Sequence, residues 1–160
     1  MDNIQFIFNF FEKYDSNRIE NNYLSDIKDC KLITYQEAKY LIDEFKEEYN
    51  FSELFGKEKD KTLKSTLESI NQQVFGKFVY PSIEEKASNL LYKMVKNHHF
   101  IDGNKRIAAL IFLYFLEKNN FLYYKNKRKI DDKALILLIL WIIETSESKN
   151  NVIRLINFLI

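Results

Sequence analysis

Apolar residues recur at helical spacing through most of the chain, and this pattern predicts a series of helices. The first apolar stripe predicts a helix over about residues 2–14 and consists of Ile4, Ile7, Phe8 and Phe11. The same periodicity predicts later helices over about residues 34–49, 63–74, 82–97, 106–120, 131–145 and 149–160. Two of these begin with the Ser/Thr-x-x-Glu form of a capping box, at Thr34 and at Ser82. We therefore expect an all-α fold.

Two segments interrupt this helical pattern. The first, FGKFVYPS over residues 75–82, alternates between Gly76 and Pro81 and predicts a short extended segment or hairpin. The second, HHFIDGNKR over residues 98–106, holds both histidines of the chain and predicts a polar loop between two helices. The expected architecture is a helical bundle around this central helix–loop–helix. Because no repeat or linker-like segment divides the chain, we predict a single domain over residues 1–160.

The composition fits one globular domain. The 160 residues include three glycines and one proline, too few for a turn-rich β-sandwich. The net charge of +1 argues against binding to nucleic acid or to acidic membranes. The lone Cys30 excludes an internal disulfide, and the first residues lack the features of a signal peptide, so we expect a cytoplasmic protein. The longest apolar run, residues 134–143, is too short to cross a bilayer and predicts a helix buried on all sides.

The start of the helix after the polar loop has the parts of an anion site. The first N–H groups of a helix lack internal partners and carry the positive end of the helix dipole, so they bind phosphates. Gly103 and Asn104 lie at this point, and a glycine lets the backbone approach a ligand closely. Arg106 offers a planar guanidinium that suits phosphate oxygens, and Lys105 adds a second positive charge. These residues predict a phosphate-binding site.

Two further residues of the loop add chemistry to this site. Asp102 offers a carboxylate oxygen for Mg²⁺, which usually binds through one or two carboxylates and the phosphates of a substrate. The imidazole of His98 has the chemistry of a general base. A phosphate site, a metal ligand and a base are sufficient in kind for phosphoryl chemistry. The alternative is a polar helix–helix connection in which Asp102, Gly103 and Asn104 are turn residues.

The string HHFIDGNKR resembles the signature of the Fic/Doc (Fido) family, His-x-Phe-x-Asp/Glu-Gly/Ala-Asn-Gly/Lys-Arg. The segment from about Tyr80 to Lys118 resembles the core of that family, and it is also similar to the Fic-like domain of bacterial virulence proteins of the RhuM type. The resemblance implies an all-α Fido fold. It further implies a core with flap and active-site loop over residues 75–160, and an N-terminal helix with an inhibitory segment over residues 1–35.

The resemblance implies a role for each position of the loop. His98 would be the base that deprotonates a hydroxyl side chain of a target protein, and Phe100 would anchor the loop in the core. Asp102 would hold Mg²⁺ on the phosphates of ATP. The phosphate-binding residues would be Gly103, Asn104, Lys105 and Arg106. The catalytic set implied in this way is His98, Asp102, Asn104 and Arg106.

The resemblance also implies a docking segment for the target protein. The family has an extended flap before its core helix, and this flap binds the target chain by strand-like pairing. The matching residues are Gly76, Lys77, Phe78, Val79 and Tyr80. An ordinary surface hairpin is the alternative for this segment.

Three positions depart from the nucleotide-transferring Fic proteins. His99 replaces a proline, Lys105 replaces a glycine, and Ala109 replaces a second arginine that holds the terminal phosphate. The Lys105 variant is Doc-like, and in Doc-like relatives the nucleotide is reversed, so that its terminal phosphoryl group is transferred. We therefore favour phosphoryl transfer from ATP in a toxin-like or regulatory protein. The alternatives are AMP transfer (AMPylation) and a catalytically silent interaction module, against which the intact loop argues.

A second motif, SNRIENN, resembles the inhibitory pattern Ser/Thr-x-x-x-Glu-Gly/Asn of the family. The matching residues are Ser16, Glu20 and Asn21. A carboxylate in the phosphate site would compete with the nucleotide for the same cations. Because Ala109 replaces the usual partner, Glu20 would pair with Arg106 or Lys105. The alternatives are a helix cap at the serine with a solvated glutamate, and inhibition by a separate antitoxin.

Overall fold

The structure, a computed structural model, describes residues 30–160 and is mostly helical. The helices in this part of the chain are α1 (Tyr35–Glu48), α2 (Leu63–Ser69), α3 (Ile83–Asn97), α4 (Asn104–Lys118), α5 (Asp132–Glu144) and α6 (Lys149–Leu159). Two antiparallel hairpins join them, formed by β1 (Gln73–Val74) with β2 (Lys77–Phe78) and by β3 (Tyr123–Tyr124) with β4 (Lys127–Arg128). The all-α prediction is confirmed. The helix predicted over residues 2–14 lies outside the described residues.

The predicted capping boxes begin α1 and α3. The hydroxyl of Thr34 accepts the N–H of Glu37 at 3.1 Å, and the carboxylate of Glu37 accepts the N–H of Thr34 at 3.3 Å. Ser82 and Glu85 repeat this exchange at 3.0 and 3.2 Å. Because each box satisfies N–H groups that have no partner inside a helix, these motifs determine where both helices begin.

The hairpin before α3 begins earlier in the chain than the pattern predicts. The apolar spacing extends a helix to residue 74, but α2 ends at Ser69 and residues 73–74 form β1. Phe75 and Gly76 make the turn with φ values of 51° and 76°, which a two-residue hairpin turn requires. The predicted hairpin is therefore confirmed with an earlier start. The second hairpin turns at Lys125 and Asn126, between the helices predicted over residues 106–120 and 131–145, in a stretch without a glycine to mark the turn.

α3 and α4 form the centre of the fold, and α5 and α6 pack against α3. The central helices bury large apolar side chains such as Leu91 and Phe112. α5 is not buried on all sides as predicted: Trp141 is buried, but Ile136 is 56% exposed because it faces a groove beside α4. No helix within residues 30–160 is both long and apolar enough to cross a membrane.

Candidate active site

The polar loop between α3 and α4 is held by a neighbouring backbone segment. Residues 56–59 run beside it, and the N–H of Ile101 donates to the carbonyl of Lys57 at 2.8 Å. The carbonyls of Asp102 and His99 accept N–H groups from the same segment at 3.0 and 2.8 Å. Phe100 is buried in the core, in the position that the family resemblance implies for the anchor of the loop. The backbone of the loop is therefore fixed before a ligand binds.

Asn104, the first residue of α4, closes this loop. Its Oδ1 accepts the N–H of Phe100 at 2.9 Å, and its Nδ2 donates to the carbonyl of Phe100 at 2.7 Å. The side chain of Asn104 thus shapes the loop, and its backbone N–H is the group left for an anion.

Gly103 precedes α4 in a conformation that glycine adopts most easily, with a φ of 93°. A Cβ atom here would lie 2.4 Å from Cε2 of Phe55, so the ring also leaves no room for a side chain. No side chain among the described residues caps the helix. Within residues 30–160, the N–H groups of Asn104, Lys105 and Arg106 meet no acceptor. These are the free groups that the sequence predicts for binding phosphate.

Arg106 lies in the first turn of α4 and stacks on two aromatic rings. Its guanidinium carbon is 4.4 Å from the ring centroid of Phe51 and 4.8 Å from that of Phe55. Its Nη2 is 3.5 Å from Oδ1 of Asp102, and both side chains are almost half exposed. The hydroxyl of Ser52 donates to Oδ2 of Asp102 at 3.2 Å. Because such long, exposed contacts are weak, the guanidinium and the carboxylate remain accessible to a ligand.

His98 caps the C-terminus of α3 with a left-handed backbone, φ 48° and ψ 59°. This conformation strains a non-glycine residue by roughly 1–2 kcal/mol. Backbone strain of this kind clusters at functional sites. The side chain is exposed and has no hydrogen-bond partner in the described part of the chain. An imidazole and helix amides that no residue of 30–160 engages thus share one stretch, residues 98–106, with a guanidinium and a carboxylate.

The predicted flap lies near the opposite end of α3. The ring of Phe78 is 4.3 Å from Nζ of Lys86, which precedes His98 by about 18 Å along the helix axis. The ring of Tyr80 lies further along, 5.1 Å from Nζ of Lys93. No hydrogen bond or ring contact between described residues joins the hairpin to the polar loop, so its docking role stays a prediction. The residues of the inhibitory motif lie outside the described residues: Ser16, Glu20 and Asn21.

An aromatic cluster beside the site was not predicted. It consists of Phe45, Tyr49, Phe51 and Phe55, whose neighbouring ring centroids are 4.4 to 5.9 Å apart. The cluster supports the guanidinium of Arg106 and packs against Gly103. The four aromatic residues in FKEEYNFSELF were the available signal for a cluster. Nothing in that segment shows that these rings contact the polar loop of residues 98–106, which is distant in the sequence.

A hydrogen-bond network around the buried ring of His99 was not predicted either. The hydroxyl of Thr62 lies 2.9 Å from Nδ1 of His99 and donates to Oδ1 of Asp60 at 2.5 Å. Because the hydroxyl gives its only proton to the carboxylate, Nδ1 must donate to the hydroxyl, and Nε2 carries no proton in the neutral ring. Nε2 is buried without a partner among residues 30–160. Burial lowers the pKa of His99, and the opposing negative charges of Asp60 and Glu58 do not offset it.

A comparison with protein families agrees with the motif. No match came from the comparison with curated proteins or from the comparison with solved structures. A family model described as "Fic/DOC family" matches residues 25–116, which include α1 to α3, the polar loop and most of α4. Members of this family generally transfer nucleotide or phosphate groups to proteins. Since the match covers more than half of the 160 residues, the chain belongs to the Fic/DOC family.

Proposed function

We propose that the protein is a transferase that uses Mg-ATP to phosphorylate a hydroxyl side chain of a target protein. One observation carries this proposal: a short, fixed loop joins the imidazole of His98 to the start of α4, where the first N–H groups have no acceptor among residues 30–160 and the guanidinium of Arg106 is half exposed. An anion site next to a base is what phosphoryl transfer to a hydroxyl requires. Family membership supports a protein as the acceptor.

The loop residues divide the work of the reaction. The N–H groups of α4 and Arg106 bind the phosphate oxygens and neutralise charge, from positions fixed in advance. His98 takes the proton of the target hydroxyl while the hydroxyl oxygen bonds to the terminal phosphorus. The bond from that phosphorus to the bridging oxygen breaks, and ADP leaves with the electron pair.

Asp102 is the residue that would hold magnesium on the phosphates. Its carboxylate is only weakly engaged by Ser52 and Arg106, at 3.2 and 3.5 Å, so an oxygen is available. Nowhere in residues 30–160 do three or more His, Cys, Asp or Glu side chains gather to hold a metal. One carboxylate fits Mg²⁺, which keeps several waters and binds substrate phosphates. The bound ion would neutralise phosphate charge and orient the chain of phosphates.

Two positions of α4 favour phosphoryl transfer over AMP transfer. Lys105 is exposed on the first turn, and Ala109 offers only a methyl group one turn further. The AMP-transferring proteins that the motif resembles have an arginine at the latter position to hold the terminal phosphate. Because residue 109 supplies no cation, this position does not hold the terminal phosphate, which is then available to face His98.

Labelled ATP distinguishes the two reactions. The protein is incubated with a cell lysate and ATP labelled at either the γ- or the α-phosphate. Phosphoryl transfer labels protein from γ-labelled ATP alone, whereas AMP transfer labels protein from α-labelled ATP and releases pyrophosphate. Labelling from the α position would overturn the proposed reaction.

The variant for this experiment is His98→Asn. Asparagine tolerates the left-handed backbone at this position and cannot act as the base. We expect labelling to fall by roughly 100-fold or more, as loss of a general base does. The control is Lys96→Asn on the exposed last turn of α3, which should label like the parent. Equal labelling by the His98 variant and the parent would instead indicate that the labelling does not come from this site and that the fold is a silent interaction module.

We also propose that the hairpin docks the target and that Glu20 restrains the site. Phe75 at the tip of the hairpin is fully exposed, and a two-stranded hairpin leaves outer edges for pairing. Phe75→Ser should therefore reduce labelling of the target without changing ATP binding.

The proposed inhibition by Glu20 has its own test. Glu20→Gly should strengthen ATP binding, and unchanged binding would count against self-inhibition.

A further inference from the structure

The residues on either side of His98 are both hydrogen-bonded to the start of α2. Nδ2 of Asn97, the last residue of α3, donates to the hydroxyl of Thr66 at 3.1 Å. Nδ1 of His99, whose side chain is buried, lies 2.9 Å from the hydroxyl of Thr62. His98 itself is exposed and has no hydrogen-bond partner among the described residues. Its position therefore depends on what holds its two neighbours.

Thr62 and Thr66, which we call the threonine pair, form one support for these neighbours. They lie one helical turn apart, and the N–H of Thr66 donates to the carbonyl of Thr62 at 3.0 Å. Residues four apart share one face of a helix, so both hydroxyls can face the end of α3. The support is itself anchored, because Leu63 and Leu67 of α2 are buried in the core.

Asp60 sets the direction of the bond between Thr62 and His99. The N–H and the hydroxyl of Thr62 both donate to Oδ1 of Asp60, at 3.1 and 2.5 Å. The hydroxyl proton is thus used, and the hydroxyl oxygen accepts the Nδ1–H of His99. The carbonyl of His99 accepts the N–H of Lys59 at 2.8 Å. The side chain and the backbone of His99 are therefore both held by the segment that leads into α2.

A base at the end of a helix needs such a support. The last carbonyl groups of a helix have no partners inside it, so helix ends fray. The backbone of His98 is also left-handed, with a φ of 48°. Misplacing a reacting group by about 1 Å costs roughly 100-fold in rate. A base without contacts of its own keeps its place only if the residues around it are locked by packing and hydrogen bonds.

We infer that the threonine pair positions His98 for phosphoryl transfer, so that Thr62 and Thr66 are positioning residues of the site. This inference rests on the proposed function, in which His98 is the base. It brings α2, which lies outside the loop motif, into the reaction. Within residues 30–160, neither hydroxyl bonds to α4, so binding of ATP should not depend on the pair.

The test combines Thr62→Val and Thr66→Val in one variant, because valine resembles threonine in shape and lacks the hydroxyl. We expect the rate of protein labelling in a lysate, from γ-labelled ATP at saturating concentration, to fall roughly tenfold or more. The Kd of ATP, measured by calorimetry with Mg²⁺, should stay unchanged. A second variant, with Thr62→Ser and Thr66→Ser, keeps both hydroxyls and should label at nearly the rate of the parent.

NMR relaxation measures the positioning of His98 without the reaction. The order parameter of its amide should be about 0.85 in the parent, as in rigid backbone, and below about 0.6 in the valine variant. The matched control is Ser69→Ala. Ser69 also joins α2 to α3, through a bond of 2.8 Å from Nζ of Lys93, but bonds to none of residues 97–99 in the described part of the chain. This control should change neither the labelling rate nor the order parameter.

The outcomes separate the inference from the function on which it rests. If the parent chain neither binds ATP nor labels protein, the proposed function fails and the inference fails with it. If the parent labels protein, but the valine variant keeps the labelling rate or the order parameter of the parent, the function stands and the inference is wrong.

Two further results would also overturn the inference alone. Equal loss of labelling in the valine variant and in Ser69→Ala would show that the rate follows the packing of α2 on α3. A serine variant as slow as the valine variant would show that the methyl groups of the threonines matter and not their hydroxyls.

Discussion

Asn104 and Phe100 are joined by two hydrogen bonds between the side-chain amide of one and the backbone of the other. Asn104 is the first residue of α4, and Phe100 is buried in the core. The pair therefore ties the start of the phosphate-binding helix to the interior of the protein. The geometry of the N–H groups at the helix start depends on this link.

Replacing Asn104 by alanine should loosen the loop. The change leaves the N–H and the carbonyl of Phe100 without partners, which should lower the free energy of unfolding by about 1–3 kcal/mol. Urea denaturation measures the loss, and hydrogen exchange should show faster exchange at the Phe100 amide. ATP binding should weaken as well, because the N–H groups of α4 lose their fixed position.

Asn119 offers a matched control for this change. Its side-chain amide makes the same pair of hydrogen bonds with the backbone of Lys31, at 2.7 and 2.9 Å, but at the far end of α4. Asn119→Ala should destabilise the protein by a similar amount and leave ATP binding as it is. Equal losses of ATP binding in both variants would show that Asn104 acts through overall stability alone.

Gly103→Ala should destabilise the protein more than the same change at Gly76. Both glycines have a positive φ, 93° and 76°, so alanine is strained at either position. A Cβ at Gly76 meets nothing within 4 Å, whereas one at Gly103 meets the ring of Phe55 at 2.4 Å. The clash should make the Gly103 variant less stable than the Gly76 variant by about 1–3 kcal/mol in urea denaturation. Equal losses would mean that Phe55 moves aside freely.

Local signals in the sequence were enough to predict where α1 and α3 begin and that residues 98–106 form a polar loop before a helix. Capping boxes at Thr34 and Ser82 act within four residues, so a sequence pattern contains all of their partners. The close packing of the Phe55 ring against Gly103, by contrast, joins residues far apart in the chain. Such contacts depend on how the helices pack, and no periodicity reports them. The hydrogen bonds between the side chain of Asn104 and the backbone of Phe100 could not be predicted for a related reason. The motif gives the position of Asn104 but not the direction of its side chain.

His98→Gly should make the protein more stable and inactive. Glycine removes the strain of about 1–2 kcal/mol that the left-handed backbone causes at residue 98. The greater conformational freedom of glycine in the unfolded chain cancels about 0.4–1 kcal/mol of this gain. We expect the free energy of unfolding to rise by roughly 0.5–1 kcal/mol and transfer to be lost. Urea denaturation and the labelling assay measure the two effects. A destabilised glycine variant would show that the imidazole makes a stabilising contact and is not held at residue 98 for its chemistry.

His99 should make the protein less stable as the pH falls from about 7 to 5. Burial lowers the pKa of His99 in the folded protein, whereas in the unfolded chain the pKa is about 6.5. The unfolded state then binds more protons over this interval, so the free energy of unfolding falls with pH by at most about 1.4 kcal/mol per pH unit. Asp60 does not contribute to this slope. Hydrogen bonds from Thr62 lower the pKa of Asp60, so its contribution to the free energy of unfolding changes only below about pH 4. Urea denaturation at several pH values gives the slope. In His99→Asn the slope should disappear, while His98→Asn, which removes the only other histidine of the chain, should keep it. A slope that survives the His99 change would place the titrating group elsewhere.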